Sequence, residues 1–153
     1  MEKIGKEKSP FSTFDHVGVV VRDMDRAIEY YQSLGTGPFE PVTTAVAEKT
    51  FHGKPTEDYG VKLRVAQLGD IRIELIQPVE GESPSKEFLD SKGEGINHIC
   101  FSVDDLEKEA AKLAKKGFGV VSSVKFVNGG GNVYFDTGKV GGVLLELLQQ
   151  PPE

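Results

Sequence analysis

Short runs of apolar and polar residues divide the chain into segments bounded by Gly, Pro or acidic residues. Residues 14–21 and 96–103 are rich in β-branched and aromatic residues, which is typical of strands. After each run, apolar residues recur at helical spacing, and these helices are predicted to end at Gly35 and Gly117. Asp104 and Glu107 have the form of a capping box before the second helix. Further strands are predicted at 38–47, 61–68 and 71–77, then at 119–127, 132–136 and 142–148.

The chain contains an internal repeat. The segment FDHVGVVVRDM at 14–24 aligns with INHICFSVDDL at 96–106, so that His16 falls on His98 at an offset of 82 residues. A second pair, IELIQ at 73–77 and LELLQ at 145–149, places Glu74 on Glu146. The first half therefore has about ten extra residues, and a loop at 43–59 is predicted to hold them.

The repeat predicts an α+β fold of two βαβββ modules forming a curved mixed sheet. Residues 1–12 are expected to be a flexible leader, 13–79 the first module, 80–95 a linker with a short helix at 83–91, and 96–150 the second module.

The alternation of side chains along a strand indicates where His16 and His98 point. His16 shares its face with Gly18 and Val20, and His98 shares its face with Cys100 and Ser102. The bulkier residues on the opposite faces are expected to pack against the helices. The side that carries the histidines therefore has room for a ligand.

Glu74 and Glu146 lie within apolar strands, where an unpaired carboxylate is costly to bury. Because this feature occurs at matching places in both halves, a shared partner is expected. Two imidazoles and two carboxylates suit one divalent ion, and His16, Glu74, His98 and Glu146 are the candidate ligands. Zn²⁺, Ni²⁺, Co²⁺, Mn²⁺ and Fe²⁺ all fit such a donor set.

Composition narrows the range of partners. The 153 residues carry a net charge of −6, which argues against non-specific binding to nucleic acid. No apolar run is long enough to cross a membrane, and the Lys- and Glu-rich start does not have the pattern of a secretory signal. The single cysteine excludes an internal disulfide. A cytoplasmic location and a small-molecule partner are therefore expected.

The repeated halves, each with a histidine on its first strand and an acid on its last, resemble the vicinal oxygen chelate superfamily. This group includes glyoxalase I, methylmalonyl-CoA epimerase, extradiol dioxygenases and metal-free bleomycin-resistance proteins. The segments ESP at 82–84, GEGINHI at 93–99 and GGVLLEL at 141–147 most resemble methylmalonyl-CoA epimerase.

The resemblance implies proton abstraction next to a carbonyl, on an acyl-CoA such as methylmalonyl-CoA, with a metal that binds two substrate oxygens. Glu146 is then the first choice for proton transfer and Glu74 the second. A homodimer is also implied, with the site formed either within one chain or across two.

Two positions depart from the epimerase pattern. Glu74 stands where epimerases often carry Gln, and glutamate there is commoner in glyoxalases. Some epimerases also carry a catalytic glutamate on the strand that here reads Lys62-Leu63-Arg64. A glyoxalase I-like lyase acting on a thiol hemithioacetal is the first alternative. A non-catalytic small-molecule-binding protein of the antibiotic-resistance type is an alternative of another class, and its metal content would distinguish it.

Overall fold

A computed structural model describes residues 9–57 and 60–153. The elements of the first half are β1 (Phe14–Val20), α1 (Met24–Ser33), β2 (Glu40–Pro41), β3 (Val46–Phe51), β4 (Lys54–Pro55), β5 (Gly60–Leu68) and β6 (Ile71–Glu80). Helix α2 (Pro84–Lys92) connects them to β7 (Gly95–Ser102), α3 (Leu106–Lys115), β8 (Val120–Phe126), β9 (Gly131–Phe135) and β10 (Leu144–Gln149). Within the described residues, no helix has the length and apolar character needed to cross a bilayer.

The strands form one mixed sheet in the order β2-β5-β6-β1-β7-β10-β9-β8-β3-β4. In each half the last strand lies parallel to the first, as β6 to β1 and β10 to β7. The halves meet where β1 runs antiparallel to β7. The four strands expected to carry the site, β6, β1, β7 and β10, are therefore adjacent at the middle of the sheet.

The predicted helices pack on one side of this sheet. Met24 of α1 packs in a cluster with Val21 and Leu75, while Leu106 and Leu113 of α3 pack with Phe135 and Leu147. Val19, Phe101 and Val103 join these clusters, as the alternation of the strands predicts. The histidine side of β1 and β7 is consequently left free of α1 and α3, whereas residues at the start of α2 lie on that side.

Side chains at the helix starts repeat between the halves. Asp23 caps α1 by accepting from the Arg26 backbone N–H, and Asp105 caps α3 by accepting from that of Lys108, each at 3.1 Å. The prediction of Asp104 as the cap of the second helix was wrong by one residue. Asp105 is the residue with extended backbone directly before the helix, and its carboxylate therefore reaches the free N–H groups.

The predicted strand at 38–47 is interrupted, and the predicted loop at 43–59 contains two strands. β2 pairs with β5 of the first half, whereas β3 leaves that half and pairs with β8 of the second. The β3–β4 hairpin therefore fills part of the expected loop. Pairing across the two halves stabilises it, and no local pattern reports such a partner.

The short connection from β2 to β3 shows that the sheet is strongly curved. In a flat sheet β2 and β3 would lie roughly 38 Å apart, at about 4.8 Å per strand. The chain from Pro41 to Val46 reaches at most about 17 Å, so the two edges must approach each other. The sheet therefore curves into a half-barrel around its histidine side.

Part of the predicted leader is ordered. Phe11 packs edge-on against Phe101, with ring centroids 5.5 Å apart, and joins the cluster beneath α3. Residues 1–8 lie outside the described part of the chain.

Candidate metal centre

Four side chains predicted as ligands converge inside the half-barrel of a single chain. Nε2 of His16 lies 3.0 Å from Nε2 of His98. Oε1 of Glu146 lies 3.4 Å from the first of these nitrogens and 3.2 Å from the second. Oε1 of Glu74 lies at 3.5 and 3.8 Å from them. No second chain is needed to assemble these four residues.

All four side chains are shielded from solvent. The exposed fractions are 4% for His16, 9% for Glu74, 0% for His98 and 3% for Glu146. Such burial makes unpaired charges costly, so these groups must compensate one another or share a cation.

Hydrogen bonds indicate which nitrogen of each imidazole carries the proton. Nδ1 of His16 lies 2.6 Å from Oδ2 of Asp15, and Nδ1 of His98 lies 2.8 Å from Oδ1 of Asn97. A carboxylate or amide oxygen can only accept, and each Nδ1–H therefore donates. In the neutral rings this leaves a lone pair on each Nε2, directed at the same point.

A β-bulge at the residue before each histidine brings these partners inward. Between β1 and β7 the register passes from Phe14↔Phe101 to His16↔Cys100, so Asp15 has no opposite residue. It likewise passes from Gly18↔His98 to Val19↔Ile96, which leaves Asn97 without one. An extra residue re-aims side chains, and Asp15 and Asn97 both line the cavity.

The His98 ring occupies the space above Gly18. These residues are directly opposite in the β1–β7 pair, and a Cβ at position 18 would overlap atoms of the imidazole. Glycine is therefore required here to let the ring lie flat against the neighbouring strand.

The charges of the cluster depend on one another. Burial disfavours the charged form of His16, but hydrogen bonds, above all to Asp15, outweigh burial and raise the pKa of His16. Burial also opposes ionisation of Glu146, yet the neighbouring imidazoles lower the pKa of Glu146 to about 2. The pKa of Asp15 is lowered, chiefly by its hydrogen bond to His16. The cluster thus attracts positive charge.

The arrangement fits a divalent ion. Within the described part of the chain, the buried Oε1 of Glu146 makes no hydrogen bond, although it faces both Nε2 atoms. Donor atoms of His16, Glu74 and His98 all lie within 4.8 Å of one another. An ion among these atoms would satisfy the orphaned carboxylate oxygen and separate two lone pairs that face each other at 3.0 Å.

A cavity of about 210 Å³ opens beside this cluster. Val61, Leu63 and Ile76 line it on the side of the first half, and Tyr134 lines it on the side of the second. Thr44, which lies between β2 and β3, and Val46 and Lys49 of β3 also line it. The cavity therefore has apolar walls and a polar end at the glutamates and histidines, as small-molecule sites commonly do.

Several lining residues were not identified from sequence. The buried serines Ser83 and Ser85 lie at the start of the linker helix. Tyr134 packs edge-on against His98, with centroids 4.9 Å apart. The pairing of Tyr134 with Glu146 in the β9–β10 register could have indicated Tyr134, whereas no strand register applies to the two serines. His52 lies in the β3–β4 turn, where it contacts Glu87 at 3.0 Å.

Comparisons with known proteins agree with this geometry. The model of the glyoxalase/bleomycin resistance protein/dioxygenase superfamily matches residues 15–135. The mitochondrial methylmalonyl-CoA epimerase of Bos taurus is 30% identical over 139 residues, covering 88% of this chain and 73% of that protein.

Solved structures give the same result. The methylmalonyl-CoA epimerase of Mycobacterium tuberculosis superposes with a TM-score of 0.68 at 26% identity, over 97% of this chain and 95% of the other. A methylmalonyl-CoA epimerase in complex with methylmalonyl-CoA and NH₄⁺ gives 0.66 at 25% identity, over 92% and 95%. The chain belongs to the glyoxalase/bleomycin resistance protein/dioxygenase superfamily, whose members include the vicinal oxygen chelate enzymes.

Proposed function

We propose that this protein is a metal-dependent epimerase that removes and returns the proton next to the carbonyl of an acyl-CoA such as methylmalonyl-CoA. One observation carries the proposal: two imidazole lone pairs and a buried, unbonded carboxylate oxygen of Glu146 converge at one point beside a cavity. The similarity to methylmalonyl-CoA epimerases supports the choice of substrate.

His16, Glu74, His98 and Glu146 would hold a divalent ion, and Co²⁺, Zn²⁺, Ni²⁺, Mn²⁺ or Fe²⁺ suits this donor set. When bound, such an ion stabilises the negative charge that develops on a substrate oxygen as the proton leaves.

The two glutamates are the proton-transfer groups of the proposal. Glu146 on β10 and Glu74 on β6 lie on opposite sides of the imidazole pair, because β1 and β7 separate their strands. A substrate carbon between them would expose one face to each carboxylate. Glu146 is the first choice as base, with Glu74 returning the proton to the other face. This two-sided arrangement allows the proton to leave from one face and return to the other.

The apolar wall opposite supports the same assignment. Val61 and Leu63 of β5 line the cavity, and neither side chain has a titratable group. These two side chains cannot take or return a proton, and the wall that they form serves to exclude water.

Solvent exchange tests this function. Metal-free protein is loaded in turn with each of the five ions and incubated with (2R)- or (2S)-methylmalonyl-CoA in D₂O. Deuterium at the α-carbon together with inversion supports the epimerase. An absence of both with every ion, in protein shown to contain metal, contradicts it.

Glyoxalase-like chemistry is the second candidate, because Glu74 supplies a second buried acid at the cluster. The same preparations are offered the hemithioacetal of methylglyoxal and glutathione, and thioester formation is followed by absorbance. Turnover of this substrate alone would favour the lyase. Wild-type protein that takes up none of the ions would instead favour the non-catalytic binding protein.

A further inference from the structure

The two imidazoles of the cluster have unequal hydrogen-bond partners. His16 donates from Nδ1 to the carboxylate of Asp15 at 2.6 Å, whereas His98 donates to the neutral amide oxygen of Asn97 at 2.8 Å. Asp15 and Asn97 occupy matching positions of the repeat and matching bulges of the β1–β7 pair. The protein therefore has an internal comparison between a charged and a neutral acceptor at matching positions.

The contacts of Asp15 hold its carboxylate in place. Ser102 donates from Oγ to Oδ1 at 3.2 Å, and Nη1 of Arg72 lies 3.6 Å from Oδ2. The side chain is only 14% exposed, so water competes little for the His16 contact. A negative acceptor in such surroundings forms a stronger hydrogen bond than an amide does.

We propose that Asp15 is a positioning residue that makes His16 the stronger of the two imidazole donors, so that the first half of the molecule dominates metal affinity. The inference rests on the proposed metal centre. A hydrogen bond from Nδ1–H to a carboxylate fixes the tautomer and increases the basicity of Nε2. Asn97 fixes the tautomer of His98 in the same way but adds no charge.

Asp15→Asn is the direct test, because it gives His16 the same neutral partner that His98 already has. The dissociation constants of Zn²⁺ and Co²⁺ are measured by competition with a chromophoric chelator. We expect Asp15→Asn to weaken binding by about 10–100-fold. Asp136→Asn removes the same charge at an exposed position of the chain and should leave the affinity unchanged.

A second measurement needs no catalytic activity. In Zn²⁺-loaded wild-type protein, two imidazole Nδ1–H proton resonances are expected, with that of His16 further downfield because its acceptor is charged. Asp15→Asn should move this resonance towards that of His98 and leave the other in place. Asp15→Asn should also change the visible absorption spectrum of the Co²⁺-loaded protein.

These measurements separate the inference from the proposed function. An affinity of Asp15→Asn equal to that of wild type, or equal chemical shifts for the two Nδ1–H protons, would overturn the role of Asp15. Wild-type protein that binds neither ion would overturn the metal centre itself. Normal metal binding without epimerisation would contradict only the choice of reaction.

Discussion

Gly18 places the tightest steric limit on the candidate metal centre. The His98 ring fills the volume that a Cβ at this position would need, and Tyr134 packs edge-on against the ring. We expect Gly18→Ala to turn His98 away from His16 and to abolish tight binding of Zn²⁺, with a loss of at least about 100-fold. Isothermal titration with Zn²⁺ measures this.

Gly119→Ala is the matched control, because no atom lies within 4 Å of a Cβ built there. It should bind Zn²⁺ as the wild type does. If Gly18→Ala retained full affinity, the ion would have to be held without His98 in its present position.

Glu146 is expected to lose its chemical role in the variant Glu146→Gln while the cluster keeps its shape. The amide has almost the volume of the carboxylate and still offers an oxygen to a metal, but it cannot accept a proton from carbon. We expect α-proton exchange on methylmalonyl-CoA to fall by about 10²–10⁴-fold, with metal content near one ion per chain.

The exposed Glu80→Gln serves as the control with the same chemical change. Near-normal turnover of metal-loaded Glu146→Gln would assign proton removal to another group, and Glu74→Gln would then be the next variant to measure.

At the level of single residues, the sequence identified the four converging residues but not their hydrogen-bond partners. His16, Glu74, His98 and Glu146 follow from a repeat and from strict alternation along the strands. Asp15 and Asn97 do not, because alternation places them on the opposite face from the histidines. The two bulges reverse that expectation, and a bulge depends on the partner strand.

At the level of the elements, the last strand of each module also fixes the start of that module's helix: β6 does so for α1 and β10 for α3. The amide oxygen of Gln77 accepts from the Met24 backbone N–H at 2.8 Å, and that of Gln149 accepts from the Leu106 N–H at 2.9 Å. These glutamines are the repeated residues that follow Glu74 and Glu146 in the IELIQ and LELLQ segments. Each module thus bonds its helix to the strand that carries its glutamate.

Gln77→Ala and Gln149→Ala should each lower the free energy of unfolding by about 1–2 kcal/mol, because a partly buried N–H loses its acceptor. Urea denaturation followed by circular dichroism measures the loss. Gln77→Glu retains an acceptor oxygen at a helix N-terminus and should lose less than Gln77→Ala. Equal stability of wild type and both alanine variants would show that water replaces these bonds.

Most elements were predicted because their signals are local. The amphipathic patterns of α1 and α3 and the β-rich runs of β1, β6, β7 and β10 are contained within the segments themselves. The β3–β4 hairpin differs, because its first strand is rich in polar residues and pairs with β8, more than seventy residues away. Its extended conformation comes from that distant partner.

For the whole molecule, the repeat predicted two halves meeting around a cleft, and the structure confirms this curved mixed sheet. The repeat did not predict that the four residues between Pro41 and Val46 would join opposite sides of the sheet. Closure depends on the β3–β8 pairing, a contact between halves with no counterpart in the repeat. The expected homodimer and cytoplasmic location stay predictions.

A divalent ion bound at the candidate metal centre should stabilise the contact between the two halves of the molecule. Two of its proposed ligands lie on strands of the first half and two on strands of the second, and the unfolded chain holds no such set together. Binding to the native state alone stabilises it by about 2.7 kcal/mol at a free ion concentration one hundred times the dissociation constant.

For a chain of 153 residues this corresponds to a rise in Tm of roughly 5–10 °C. We therefore expect EDTA to lower the Tm of the loaded protein by that amount and Zn²⁺ or Co²⁺ to restore it, as followed by scanning calorimetry. Gly18→Ala should show no response to either treatment, whereas Gly119→Ala should respond fully. Equal Tm values with and without the ion in the wild type would show that the native state does not bind the ion more tightly than the unfolded chain does, and would contradict the proposed metal centre.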